Sequence, residues 1–575
     1  DPAVDTVSTT DRFEIELPVP VTEALLGPLP EAYGGGVNDA LLTALALAVG
    51  AWRRERGQDA GALTLDLEGH GREEDAVGRA ADLGRTVGWF TTLYPVRLDV
   101  TDADLDDALR GGPAAGTAVK AVKEQLLAVP ERGIGYGLLR HLNAATADEL
   151  AALPSPEIGF NYLGRVSGPA GADTEQYAAF GWQPASDGGQ LGGAQDPGMV
   201  VPAVLSINAA TSDTASGPVL TASFAHATGV LSDADARRLA DLFVDAATAL
   251  ADHARRPDAG GLTPSDVPLV SVTQPVLDRL EDRYPTLSDV WSLAPLQEGM
   301  LFHSVLAGEI GADGAGTDVY TAQVALRLTG SVDIERMRAA AAALITRHPH
   351  LRAGFVTDPD GAMVQVVVDL ADPVRDIDFR TVDLTDADPA TRDETVATLL
   401  HEHRVARFDL AAPPLMRFLM IVTGPSSYVF SVSNHHILLD GWSMPLMLKD
   451  LIVLYAARGD GSVLPRVRPY KDFLSWLSER DFAAATTAWT HALDGLDEPT
   501  LLAPNPPAEG VDVVPAELDV ALPDGVSDAL SAVARERGVT MNTIVQAAWG
   551  ILLARTVASE DVVFGATVSG RPPEI

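Results

Sequence analysis

Two adjacent histidines open the run HHILLDG, His435 to Gly441, directly after an apolar stretch that reads as a β-strand. Imidazole has an ordinary pKa of about 6.5, so it takes up and releases a proton near neutral pH. One such ring in a cleft could accept a proton from an attacking nucleophile. Successive side chains on a strand point to opposite faces. His435 and His436 therefore cannot chelate one metal while the strand persists: one can face a cavity and the other the scaffold. Asp440 can hold the local structure by pairing with an arginine, and Gly441 leaves room for a substrate chain to approach the backbone. The competing reading is a buried structural histidine pair without chemistry.

Hydrophobic periodicity shows the elements that must position this run. Residues 319–328, 415–422 and 428–433 read as strands. Residues 334–347 read as a helix with Ile334, Met337, Ala341 and Leu344 on one face, and 444–455 as the helix after HHILLDGWS. Nearer the N-terminus, 12–17 (RFEIEL) and 63–67 alternate as strands do, and 38–54 carries Leu41, Leu42, Leu45, Val49 and Trp52 at helical spacing. Residues 203–207 and 220–224 are strand-like, and 233–253 reads as a long helix. Residues 256–283, rich in Pro, Gly, Asp and Ser, lack clear periodicity and read as a linker.

Part of this pattern occurs twice, a whole domain's length apart. FEIELP from Phe13 resembles LDVALP from Leu518, and VNDALLTALALAVGAW from Val37 resembles MNTIVQAAWGILLART from Met541. Each helix leads to an expected strand ending in Gly-Arg, LDLEGHGREE around Gly71 and GATVSGRPPE around Gly570. Two copies of one fold explain the order, with the back part of one domain followed by the front part of another.

Composition excludes several classes. The 575 residues carry 41 Lys+Arg against 80 Asp+Glu, a net charge of -39, which repels nucleic acid and anionic membrane. The absence of cysteine removes disulfides, thiolate zinc sites and cysteine nucleophiles, and fits a reducing cytoplasm. The apolar run 40–49 is far shorter than the roughly 20 residues of a membrane span. Three further runs are decoys. QLGGA from Gln190 has Gln195 where a carrier attachment site needs serine, GGG at 34–36 lacks the Gly-Lys-Ser/Thr of a phosphate loop, and HEH at 401–403 lacks the spacing of a helical zinc pair.

HHILLDGWS resembles the HHxxxDG signature of condensation domains of nonribosomal peptide synthetases. LAPLQEGMLFH (293–303), RHPHLRAGF (347–355), FDLAAPPLMRF, YKDFLSWL and DVVFGATVSGRPPEI are similar to other motifs of that family, in family order over 284–575. The first is in the form usual for domains that accept a D-configured donor. LEGHGRE (67–73), VGWFTTLYPV (87–96), GIGYGLLR (133–140) and IGFNYLG (158–164) resemble motifs of the sister epimerization domains. The resemblance implies an α/β fold of chloramphenicol-acetyltransferase-like lobes, in two tandem incomplete condensation-superfamily domains. These are the C-terminal portion of an epimerization domain at 1–255, a linker at 256–283, and a condensation domain at 284–575 shortened in its C-terminal lobe.

Further expectations follow from the resemblance. His436 becomes the catalytic residue of amide formation, supported by His435, Asp440 and Gly441. Asp440 is expected to pair with Arg352, with Arg347 the second candidate. Glu68 becomes the acid/base group of epimerization, with Arg72 and Tyr162 beside it; a solvated surface carboxylate is the plainer alternative. No cofactor is bound directly. Substrates arrive tethered to 4'-phosphopantetheine on carrier protein domains, and the partners are carrier and adenylation domains. Two alternatives differ in class: a coenzyme A-dependent acyltransferase of the same superfamily, and a non-catalytic docking platform for carriers.

Overall fold

The computed structural model describes residues 3–73, 82–166, 196–310, 318–496, 498–503, 518, 520–572 and 574. The chain separates into two compact units, Asp1–Glu281 and Asp282–Ile575, both α/β.

The first unit is built on a six-stranded sheet. Its strands are β1 (Thr10–Leu17), β2 (Leu63–Gly69), β3 (Thr92–Leu98), β4 (Ile158–Val166), β5 (Leu205–Thr214) and β6 (Gly217–Ala227), in the order β1-β6-β5-β4-β2-β3. Leu63, Leu65 and Leu67 alternate into the core while Thr64 and Glu68 are exposed, as the period-2 pattern requires. Three long helices bury their apolar faces with the sheet: α1 (Val37–Glu55), α2 (Pro113–Leu127) and α3 (Asp233–His253). Helix α3 starts where the side chain of Ser232 accepts a hydrogen bond from the Asp235 N–H, and it spans the residues expected from periodicity.

The stretch expected to be a linker is a strap on this unit. Thr263, Val267, Val276, Leu277 and Leu280 are buried, and the stretch ends in helix α4 (Gln274–Arg283). Two lysines of α2 fasten it. Lys123 Nζ, 3% exposed, bonds both Asp266 carboxylate oxygens at 2.6 and 2.7 Å and the Tyr33 carbonyl at 2.7 Å. Lys120 Nζ bonds Asp278 at 3.0 Å and Glu281 at 2.9 Å. The strap lacks visible periodicity because charge pairs and short apolar insertions hold it, and neither repeats at a fixed spacing.

The second unit has two sheets. One pairs β7 (Leu287–Trp291), β9 (Ala353–Thr357) and β10 (Met363–Val368) in the order β7-β10-β9. The other pairs β8 (Thr321–Thr329), β11 (Asp378–Asp383), β12 (Met416–Gly424) and β13 (Ser427–His435) in the order β11-β12-β13-β8. β13 lies between two antiparallel neighbours and is buried along almost its whole length. Helices α5 (Pro295–Ile310), α6 (Ile334–Arg347), α7 (Pro389–Val405) and α8 (Ser443–Ala456) accompany these sheets.

The expected repeat is realised unevenly. Helix α9 (Met541–Val557) matches α1, as the sequence predicts. The strands expected at 518–523 and 565–570 are absent among the described residues. β1 and β2 persist because β6, β3 and β4 satisfy their backbone groups; the two later segments have no such ladder among the described residues. Among the described residues, no single helix is long and apolar enough to cross a membrane.

Candidate active site

The sheet fixes where the two histidines point. β13 ends at His435, whose side chain is wholly buried, and His436 is the first residue beyond it and is exposed. The His436 backbone N–H donates to the Tyr320 carbonyl at 2.7 Å. Its ring Nδ1 lies 2.8 Å from the Leu439 carbonyl. A carbonyl only accepts, so Nδ1 carries the proton and Nε2 of the neutral ring is left as an acceptor. That is the state a proton-accepting imidazole requires.

His435 is oriented the other way. Its Nδ1 accepts from the Ile437 N–H at 3.2 Å, so the proton sits on Nε2. Nε2 faces Asp318 Oδ2 at 3.2 Å and Ser304 Oγ at 3.3 Å. Burial by itself would raise the Asp318 pKa. Hydrogen bonds from His435 and the Tyr320 N–H, with the Arg407 charge, bring it below the usual carboxylate range instead. The Ile437 carbonyl accepts from Gln297 Nε2 at 2.9 Å, and Gln297 Oε1 accepts from Gln365 at 3.1 Å.

Asp440 is paired differently from expectation. Its Oδ1 accepts from the Ser443 N–H at 2.8 Å and the Ser443 hydroxyl at 2.5 Å, at the start of α8. The nearest guanidinium is Arg571, at 3.7 Å from the same oxygen and donating to Ser443 Oγ at 2.9 Å. Arg352 instead bonds Asp369 and, at 2.9 Å, the Val368 carbonyl; it holds the end of β10. Arg347 and His348 both reach Asp450 of α8, at 3.3 and 3.2 Å. Both arginines lie closer along the fold to these partners than to Asp440, so the expected pair does not form. Arg571 belongs to the SGRPPE run singled out in the sequence, and its link to Asp440 is long-range and carries no local signal.

Around Asp440 two rings are held neutral. Burial, then the charges of His348 and Arg571, push His350 down to about 3. Burial, then the Asp440 charge, push Tyr470 up to about 12. Their rings meet tilted, with centroids 5.6 Å apart, and Tyr470 stacks on Phe473 at 5.5 Å. Gly441 has nothing within 4 Å of the position a Cβ would take, so the backbone there is open.

In the first unit Glu68 is exposed on β2 and accepts from Asn161 Nδ2 of β4 at 2.9 Å. The expected neighbours are elsewhere. Tyr162 packs against the helix-covered core and its hydroxyl meets Thr211 Oγ1 at 3.0 Å, because adjacent strand residues face opposite ways. Arg72 donates to the Leu83 and Thr86 carbonyls at 3.2 and 2.9 Å and stacks on Phe90. Gly71 turns the chain there with φ +64°, and a Cβ would overlap the Phe90 carbonyl oxygen. Asn161, next to Tyr162 in IGFNYLG, is the residue that sequence reasoning passed over.

The remaining runs are scaffold or fall outside the described residues. His403 of the HEH run is pushed down to about 4 by burial, then by Arg417 and Arg380. Its Nδ1 is met by Ser433 Oγ at 2.8 Å. The QLGGA run and Gln195 lie outside the described residues.

The condensation-domain family model matches residues 1–190 and 287–574. The chain belongs to the condensation-domain family. A linear gramicidin synthase of Brevibacillus parabrevis is 34% identical over 100% of this chain and 11% of its own length. Bacitracin synthase 1 of Bacillus licheniformis is 30% identical over 99% of this chain and 10% of its own. The chain thus spans about a tenth of the length of these curated relatives. The epimerization domain from the third module of tyrocidine synthetase B is 31% identical, with a TM-score of 0.35, covering 44% of this chain and 50% of that one. One condensation-domain model matches both units, and the α/β class of both units agrees with it.

Proposed function

We propose that the second unit forms a peptide bond in nonribosomal peptide synthesis. The observation that carries this reading is His436, exposed at the end of a buried strand with Nε2 free to accept a proton. The acceptor amine, ordinarily protonated with a pKa of about 8, must attack as the neutral species. Its lone pair adds to the donor thioester carbonyl, and His436 Nε2 takes the amine proton as the C–N bond forms. The tetrahedral intermediate collapses with loss of the thiolate, which is protonated in turn. His436 also stabilises that intermediate electrostatically when it holds the proton.

The donor is a D-aminoacyl or peptidyl thioester, as the form of the 293–303 motif implies. The first unit sets that configuration by moving the Cα proton, with Glu68 as acid/base, Asn161 orienting its carboxylate and Arg72 shaping the adjoining turn. Both substrates ride on 4'-phosphopantetheine arms of carrier domains loaded by adenylation domains, in the cytoplasm. In the synthetase that carries this chain, intact-mass assay should show product with D-loaded donor carriers and at least about tenfold less with L-loaded ones. Equal turnover of both removes the D-donor assignment, and efficient use of free acyl-coenzyme A favours the acyltransferase alternative. Glu68→Gln should abolish deuterium wash-in at Cα; unchanged exchange removes Glu68 from the mechanism.

A further inference from the structure

We infer that Asp318 is a positioning residue for His436, acting through the peptide groups on both sides of it. The inference rests on the reading of His436 as the group that takes the amine proton. Asp318 is buried just ahead of β8 and uses both carboxylate oxygens. Oδ1 accepts from the Tyr320 N–H at 2.9 Å, and Oδ2 accepts from His435 Nε2 at 3.2 Å. Each partner then grips one peptide of the catalytic turn. The Tyr320 carbonyl holds the His436 N–H at 2.7 Å. His435 Nδ1 holds the Ile437 N–H at 3.2 Å, and Gln297 holds the carbonyl of the same residue at 2.9 Å. Asp318 is therefore the point at which both routes to His436 meet.

The chemistry of the chain demands a carboxylate. An ionised carboxylate offers acceptors only, so it can face two N–H donors at once. An asparagine presents one oxygen and one NH2. If the oxygen serves Tyr320, the NH2 opposes the His435 Nε2–H. His435 can relieve that only by moving its proton to Nδ1, which then opposes the Ile437 N–H. If the amide is flipped, its NH2 opposes the Tyr320 N–H instead. Every arrangement sets two donors against each other in a buried place, where an unpaired polar group is costly. Moving the turn relieves the conflict, and the turn carries His436. Ser304 Oγ, 3.3 Å from His435 Nε2, does not change this count, because a hydroxyl can serve the same N–H as a second acceptor. Arg407, whose Nη2 donates to the Ser304 carbonyl at 2.6 Å, is the cation facing the group.

Two measurements decide the matter. In the wild-type protein, imidazole 15N shifts of the neutral His435 ring should report a protonated Nε2 and a bare Nδ1. A proton on Nδ1 there overturns the inference without any variant. Single-turnover condensation by Asp318→Asn should be slower by about 100-fold, the cost of misplacing a reacting group by about 1 Å. The KM for the acceptor should stay within about twofold, since the carboxylate touches no substrate. Because Asp318 acts through His436, the Asp318→Asn/His436→Ala double variant should be no slower than His436→Ala alone. Additive losses, or a wild-type rate for Asp318→Asn beside a slow His436→Ala, overturn the role of Asp318 and leave His436 in place. A wild-type rate for His436→Ala overturns both.

Discussion

Replacing His436 by alanine is expected to slow amide formation by about 10²–10⁴-fold while leaving the fold unchanged. The range is what a positioned proton acceptor contributes. The fold survives because His436 is exposed and its side chain makes a single hydrogen bond, to the Leu439 carbonyl. The His435 ring, one residue earlier, is wholly buried between Asp318 and the Ile437 N–H, so its removal strikes stability first. The measurement is single-turnover product formation by intact mass, paired with thermal melting. Wild-type product formation by His436→Ala, with carriers still bound, would leave the chain as a docking platform. Loss of rate with a wild-type melt supports the assignment.

Lys123→Met is the largest expected effect on stability. The lysine is almost wholly buried and makes three hydrogen bonds, two to Asp266 and one to the Tyr33 carbonyl. Removing one partner of a buried pair leaves an uncompensated charge, at a cost of about 3–5 kcal/mol. Methionine keeps most of the volume, so the loss is electrostatic rather than a cavity. The strap should loosen before the sheet does, because Asp266 keeps only its local bonds from the Thr263 N–H and hydroxyl. Limited proteolysis within 256–273 should accelerate, and the denaturant midpoint of the first unit should fall. Asp266→Leu added to Lys123→Met should recover part of the loss, since no charge is then left unpaired. An unchanged midpoint in Lys123→Met would show that the pair contributes nothing net.

The regular elements were legible in the residues because each buries one periodic face. Helices α3 and α6 run over the residues that their apolar spacing predicts, 233–253 and 334–347. β13 extends two residues beyond the apolar run 428–433, because Asn434 and His435 pair with Ala322 and Thr321 across the ladder despite being polar. Side-chain pairing was the hidden part. Asp440 meets Arg571, 131 positions away, and Asp318 meets His435 across 117. No spacing rule connects such residues; only the folded chain does. Arg352 and Arg347 were assigned to Asp440 by motif, yet each has an acidic partner nearer in the fold, Asp369 and Asp450. Glu68 and Tyr162 separate for a reason that alternation alone could have supplied. Phe160 is buried on the core side of β4, so Tyr162 shares its face and Asn161 does not.

The strap has a practical consequence for anyone who recombines such chains. Composition invites a cut at residue 255, where the long helix stops and the Pro- and Gly-rich stretch begins. A splice there would remove the buried Val267, Val276, Leu277 and Leu280 and leave Lys120 and Lys123 without Asp278, Glu281 and Asp266. An interchangeable piece must instead keep α4 whole, to Arg283, so the apparent spacer travels with its upstream neighbour as inherited cargo.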